Sequence, residues 1–112
     1  MSTQLAQELA TNLRSSKSQL NTVNQQLLLL ERQDKLAQVT TKELESYPVN
    51  KVWRGFGKAF ILQDKSKYVQ DLNHDAGIVE EQTKSLKIKQ HYLETTVEKI
   101  VENLKALMEK SK

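Results

Sequence analysis

The chain has 112 residues, of which 38% are hydrophobic, 28% are charged and none is cysteine. This length predicts one domain at most, and the lack of cysteine excludes disulfides, thiolate zinc sites and cysteine nucleophiles. The net charge of +3 has its source in the middle of the chain, because residues 47–67 carry five basic and one acidic side chain. That excess is far below the dense basic stripe of a dedicated nucleic-acid module.

The N-terminus and the hydropathy pattern bear on where the chain resides. Its first residues lack the basic and apolar regions of a secretory signal, and no apolar run approaches the ~18 residues of a membrane span. Leu, Lys, Glu, Gln and Val dominate while Gly and Pro are scarce, a composition typical of long helices. We therefore expect an elongated helical protein in the cytoplasm.

The first predicted element is a helix over residues 4–46. It is ended by Pro48, which disfavours helical backbone at Tyr47 and lacks an amide to donate. Nine of its twelve positions at alternating spacings of three and four are apolar. These seam positions are Ala6, Leu9, Leu13, Ser16, Leu20, Val23, Leu27, Leu30, Asp34, Ala37, Thr41 and Leu44. Asp34 is either a register-setting polar residue or one that reaches solvent beside Lys35.

A β-hairpin is predicted next, over residues 49–63, with its turn around Phe56 to Lys58 where glycines allow a tight reversal. Its large apolar residues do not alternate cleanly with polar ones, so both faces carry apolar surface. An isolated two-stranded hairpin is marginal in water. It therefore either joins hairpins of other chains, which we favour, or folds back on its own helices. The candidate assembly residues are Val52, Trp53, Arg54, Phe56, Phe60, Ile61 and Leu62.

The last predicted element is a helix over residues 66–110, capped by Asp64 or Ser66. Ten of its twelve seam positions are apolar. They are Val69, Leu72, Ala76, Val79, Thr83, Leu86, Gln90, Leu93, Val97, Ile100, Leu104 and Leu107. Two seams sustained over more than five heptads predict a long antiparallel coiled coil, mainly α, in a single domain over residues 1–112. In that register Leu44 lies near Val69 and Leu9 near Leu104.

Both chain ends then meet at one tip of the coiled coil, with no loop to cover it. Fraying there would expose leucine and methionine side chains that can pack against many apolar segments. Each of these residues can equally serve only to complete the coiled coil. The candidate substrate-binding residues are Leu5, Leu9, Leu13, Ile100, Leu104, Leu107 and Met108.

The hairpin sequence, set between two heptad arms of about forty residues, resembles the signature of the prefoldin β-type subunits. The matching run is Val52-Trp53-Arg54-Gly55-Phe56-Gly57-Lys58-Ala59-Phe60-Ile61-Leu62-Gln63. The α-type subunits of that family carry two hairpins, and this chain has room for one. The resemblance implies a heterohexamer of two α-type and four β-type subunits, with the hairpins forming a double β-barrel platform from which six coiled coils project.

The same resemblance implies a co-chaperone function. The coiled-coil tips would hold non-native chains, such as nascent actin and tubulin, and deliver them to the cytosolic group II chaperonin without nucleotide. On this basis we expect no cofactor, no catalytic residues, other prefoldin subunits as partners, and no membrane or nucleic-acid partner.

Other sites were sought from the residues alone. His74 and His91 lack the spacing and the neighbouring ligands of a metal site, and the acidic run from Asp71 misplaces the glycine and final glutamate of a calcium loop. No catalytic set can be assembled, so an enzyme is not expected. The alternative to the chaperone is a structural coiled-coil adaptor or a nucleic-acid-associated factor that uses the basic hairpin, where Arg54 and Lys58 would be the contacts.

Overall fold

A computed structural model describes residues 2–110 and the side chains of residues 3–110. Helix α1 spans Ser2–Ser46, strand β1 Lys51–Phe56, strand β2 Ala59–Asp64 and helix α2 Lys65–Lys110. The predicted order of two long helices around one antiparallel hairpin is confirmed. Neither helix contains a stretch apolar enough to cross a bilayer within the described residues.

The chain divides into two compact units. The terminal unit combines Met1–Leu28 with Lys84–Lys112, and the hairpin unit is Leu29–Thr83. The prediction of a single domain over residues 1–112 stays a prediction.

The terminal unit is an antiparallel helix pair. Its seam positions in both helices are all buried or half-buried, and the most buried side chains are Val23, Leu93 and Ile100. Gln90, a polar break in the predicted seam, donates from Nε2 to Oδ1 of Asn24 on the other helix at 2.7 Å. This hydrogen bond satisfies the half-buried amide of Gln90, and it fixes the register in which the two helices pair.

In the hairpin unit the seam positions 30–44 and 69–83 are likewise half-buried. Asp34 lies half-buried at its seam position, and its Oδ2 accepts a 3.0 Å hydrogen bond from Gln38 Nε2, one turn along α1. Lys35 instead pairs with Glu31 at 3.3 Å on the exposed face of the helix. Asp34 was predicted either to set the register or to reach solvent beside Lys35. Its hydrogen-bond partner is instead Gln38, on the same helix.

The ends of the helices follow from local chemistry. At the C-terminus of α1, the amide of Tyr47 donates to the carbonyl of Leu44 at 3.2 Å, and the hydroxyl of Ser46 donates to the carbonyl of Glu43 at 3.0 Å. These two bonds satisfy carbonyls that the helix itself leaves without partners. Helix α2 begins at Lys65, directly after β2, so Asp64 holds the preceding position and Ser66 lies inside the helix. The alternative cap at Ser66 was therefore wrong.

The hairpin turn consists of Gly57 and Lys58, since Phe56 pairs with Ala59. Gly57 has φ of 59°, while Lys58 keeps a negative φ. Positive φ at only the first central residue is typical of a type II′ turn, whose twist matches that of the strands. The predicted turn around Phe56 to Lys58 thus has its glycine where the backbone requires one.

We expect opposite effects from adding the same methyl group to two glycines. Gly57→Ala should lower the free energy of unfolding by about 1 kcal/mol, because alanine is strained at positive φ. Gly77→Ala should raise it by up to about 1 kcal/mol, because Gly77 lies within α2 and a Cβ there meets no atom within 4 Å. Urea denaturation of the full chain, followed by circular dichroism, measures both. Changes of the same sign would contradict this account.

Candidate functional site

The outer face of the hairpin is an exposed apolar surface. The strand register pairs Trp53 with Leu62 and Gly55 with Phe60, and successive strand residues point to opposite faces, so Trp53, Phe60 and Leu62 share one face. Trp53 is 68% exposed and Phe60 71% exposed, and the ring of Phe60 lies against Gly55. Side chains of this size are the ones that dominate the energetics of protein interfaces.

The inner face of the hairpin behaves differently. Val52 is only 9% exposed and Arg54 is half-buried, whereas Phe56 and Ile61 towards the turn remain exposed. Of the seven predicted assembly residues, one therefore belongs to the core of the hairpin unit and one is partly covered. The other five present apolar side chains to solvent.

Arg54 joins the hairpin to α2. Its Nη1 donates to Oδ2 of Asp71 at 2.7 Å and to Oε1 of Gln63 at 3.2 Å. The guanidinium Cζ lies 4.4 Å from the ring centroid of Tyr68 and 5.0 Å from that of Phe56. The side chain of Arg54 is only 18% exposed and that of Asp71 is 41% exposed, so the ion pair is shielded from water on its arginine side.

Lys65 holds together the two points where the chain enters and leaves the hairpin. Its amide donates to the carbonyl of Asn50 at 2.6 Å, and its Nζ donates to the carbonyl of Tyr47 at 2.8 Å. The connection that follows α1 is thereby fastened to the first residue of α2.

An open groove of about 360 Å³ lies at the base of the hairpin, between its strands and the helices of the same unit. It extends the apolar surface of Trp53 towards the helices, with two tyrosine rings in its walls. It is lined by Thr40, Glu43, Leu44, Tyr47, Lys51, Val52, Trp53 and Tyr68.

The coiled-coil tip contains a smaller groove of about 240 Å³. Leu5 and Met108 are exposed there, whereas Leu9, Leu13, Leu104 and Leu107 are half-buried in the seam and Ile100 is buried. The groove is lined by Leu5, Leu9, Asn103, Ala106, Leu107 and Lys110. Only part of the predicted substrate-binding set is therefore accessible, and Ile100 can be reached only if the helices separate.

Other candidate ligands stay dispersed. His74 and His91 are exposed, and no group of three or more histidine or acidic side chains in the described part of the chain could hold a metal ion. Sequence reasoning missed Tyr68, Asp71 and Lys65, which hold the hairpin in place. The sequence signal for Asp71 is its spacing of three residues from Tyr68, which places both on one face of α2. The structure shows that this is the face that contacts Arg54 of the hairpin.

Comparison with known proteins identifies the relatives of this chain. Residues 7–111 match the family model described as prefoldin subunit. The chain is 64% identical over 105 residues to prefoldin subunit 1 of Saccharomyces cerevisiae, covering 94% of this chain and 96% of the relative. It is 29% identical over 106 residues to the probable prefoldin subunit 1 of Schizosaccharomyces pombe, covering 94% and 95%.

The fold has a counterpart among solved structures. The crystal structure of the prefoldin beta subunit from Thermococcus strain KS-1 matches with a TM-score of 0.81 at 21% identity, covering 91% of this chain and 90% of that one. The predicted resemblance to the prefoldin β-type subunits is confirmed, and the relative at 64% identity is a subunit 1.

The two faces of the hairpin should respond differently to truncation in the free subunit. Val52→Ala should lower the free energy of unfolding by roughly 1–2 kcal/mol, because it removes buried methyl groups. Trp53→Ala should change it by less than about 0.5 kcal/mol, although it removes far more atoms, because Trp53 is exposed. Urea denaturation of the two variants tests this, and a larger loss for Trp53→Ala would contradict the assignment of the faces.

Proposed function

Since the chain belongs to the prefoldin subunit family, with a subunit 1 among its relatives, we propose that it is one subunit of a heterohexameric chaperone in the cytoplasm. The hexamer captures unfolded or nascent polypeptides, actin and tubulin among them, at its coiled-coil tips. It then transfers them to the cytosolic group II chaperonin without ATP. The observation that carries this proposal is the exposed apolar face of Trp53, Phe60 and Leu62 on the hairpin.

Assembly through the hairpin follows from the two strands. In the described residues β1 and β2 pair only with each other, so each has an outer edge that offers amides and carbonyls for further pairing. Edge pairing with the hairpins of other prefoldin subunits would satisfy these groups. Closure into a β-barrel platform would at the same time bury the aromatic face. This accounts for apolar residues that the free subunit leaves in water.

Capture at the tip is supported by the accessibility of its side chains. Leu5 is 46% exposed and Met108 66% exposed, and leucine and methionine adapt to many apolar partners. One groove of this size binds weakly. Several tips on one platform act at high effective concentration, so weak contacts add up to a useful grip on an unfolded chain.

The alternative of a nucleic-acid contact loses support because Arg54, one of its two predicted contacts, is engaged within the chain. Arg54 pairs with Asp71, and Lys65 donates to the carbonyl of Tyr47, while Lys51 is the strand neighbour of Asp64 and Lys58 at the turn is exposed. The proposed chaperone function also needs no catalytic group.

Replacing the outer-face aromatics should abolish assembly. We expect the double variant Trp53→Ser with Phe60→Ser to remain helical and yet to be lost from the six-subunit complex. Native mass spectrometry of the chain co-expressed with the other prefoldin subunits measures this. Ile88→Ser, which removes an equally exposed apolar residue from α2, is the control and should assemble as one copy per hexamer. Normal incorporation of the double variant would overturn the proposed role of the hairpin.

Polar substitution at the tip should leave the hexamer intact and weaken capture. For Leu5→Ser with Met108→Ser, we expect a few-fold higher concentration of hexamer to be needed to keep denatured actin from aggregating, because the other tips still contribute. Leu36→Ser, which changes an exposed leucine of the hairpin unit, is the matched control. Light scattering without nucleotide provides the readout. An effect as large for Leu36→Ser would argue against a tip-specific site.

A further inference from the structure

Few contacts orient the hairpin within its unit. Of the twelve strand residues that the structure describes, only Val52 is buried. The amide and Nζ of Lys65 donate to the backbone carbonyls of Asn50 and Tyr47 at the base of the hairpin. Neither bond reaches the middle of the strands. The side chain that spans from the middle of β1 to α2 is that of Arg54.

The guanidinium group of Arg54 is held by three side chains of the same chain. The carboxylate of Asp71 and the amide oxygen of Gln63 both accept from its Nη1, and the ring of Tyr68 lies against its guanidinium. Tyr68 and Asp71 are one turn apart on α2, so the planar group is gripped by two successive positions of one helical face. Such a planar, multiply held group fixes a direction as well as a distance.

The orientation of Arg54 also determines the orientation of Trp53, its neighbour on β1. Successive side chains on a strand point to opposite faces, so a strand whose Arg54 is held against α2 has Trp53 on the other face of the hairpin. The paired strand follows, because Phe60 and Leu62 share the face of Trp53 through the register of the hairpin.

We propose that Arg54 is a positioning residue for assembly, which holds the hairpin against Asp71 and Tyr68 of α2 so that the face of Trp53, Phe60 and Leu62 is presented in the orientation that partner subunits bind. This inference rests on the proposed function, since it concerns how the same surface is prepared. Because the hairpin is already oriented before it binds, association loses less conformational entropy. Arg54 itself need not touch the partner.

The test measures the affinity of the full chain for the other five prefoldin subunits. We expect Asp71→Asn, and Arg54→Lys, which keeps the charge but loses the planar group, to raise the dissociation constant of this subunit about tenfold. The charge exchange Arg54→Asp with Asp71→Arg should recover part of the loss. Glu31→Gln, which breaks the exposed pair with Lys35, is the matched control and should bind as the unmodified chain does.

A second readout separates positioning from stability. Hydrogen exchange of the strand amides in the free subunit should accelerate in Asp71→Asn while the helices keep their protection, at a temperature where every variant is folded. A role in stability alone would lower the free energy of unfolding and leave the dissociation constant of the folded subunit unchanged.

The outcomes distinguish this inference from the proposed function. Normal affinity of Asp71→Asn overturns the positioning role, and so does weak binding by Arg54→Lys alone, which would indicate that Arg54 contacts a partner directly. Neither result affects the proposed assembly surface. That surface is overturned only if the Trp53 and Phe60 variant assembles normally.

Discussion

A pair of helices buries one narrow stripe from each partner, and this limit governs everything else in the chain. In the terminal unit Val23, Leu93 and Ile100 are the only buried side chains among the described residues, and only Val23 is fully buried. A hairpin added to such a helix pair has no further hydrophobic core into which its side chains can pack. The hairpin can therefore insert one residue, Val52, against the helices of its own unit and must leave its other large side chains in water. Exposed apolar surface here is a consequence of the architecture, and in the proposed assembly partner subunits cover it.

The two exposed surfaces differ in the kind of side chain that they offer. The hairpin presents aromatic rings on a pair of strands tied to α2 through Arg54, which suits a single partner geometry. The tip presents flexible Leu5 and Met108 at helix ends, where the backbone frays most readily. Rigid aromatic surface favours specific assembly, and flexible aliphatic surface favours varied clients. Under the proposed function, one chain can therefore serve both tasks with two chemically different surfaces.

The parts of the fold that could be predicted are those encoded by local periodicity. All 24 seam positions derived from alternating spacings of three and four are buried or half-buried, because a helix brings such residues to one face whatever its partner is. Gly57 marks the turn because few other residues accept its backbone angles. Periodicity could not decide whether Val52 or Trp53 faces inward, since both are apolar neighbours on one strand. Periodicity placed Ile100 in the seam, and its burial there is what removes it from the accessible tip residues.

The basic middle of the chain shows how charge counted along the sequence differs from charge paired in the fold. The window 47–67 contains Arg54 but ends four residues before Asp71, the carboxylate that Arg54 binds. A helix that begins at Lys65 returns that carboxylate to the hairpin within its first two turns. The apparent excess is thus partly a product of where the window ends, because folding pairs charges by distance and not by order. What remains on the hairpin after this pairing is chiefly apolar, and it is the apolar face that a partner subunit would bind.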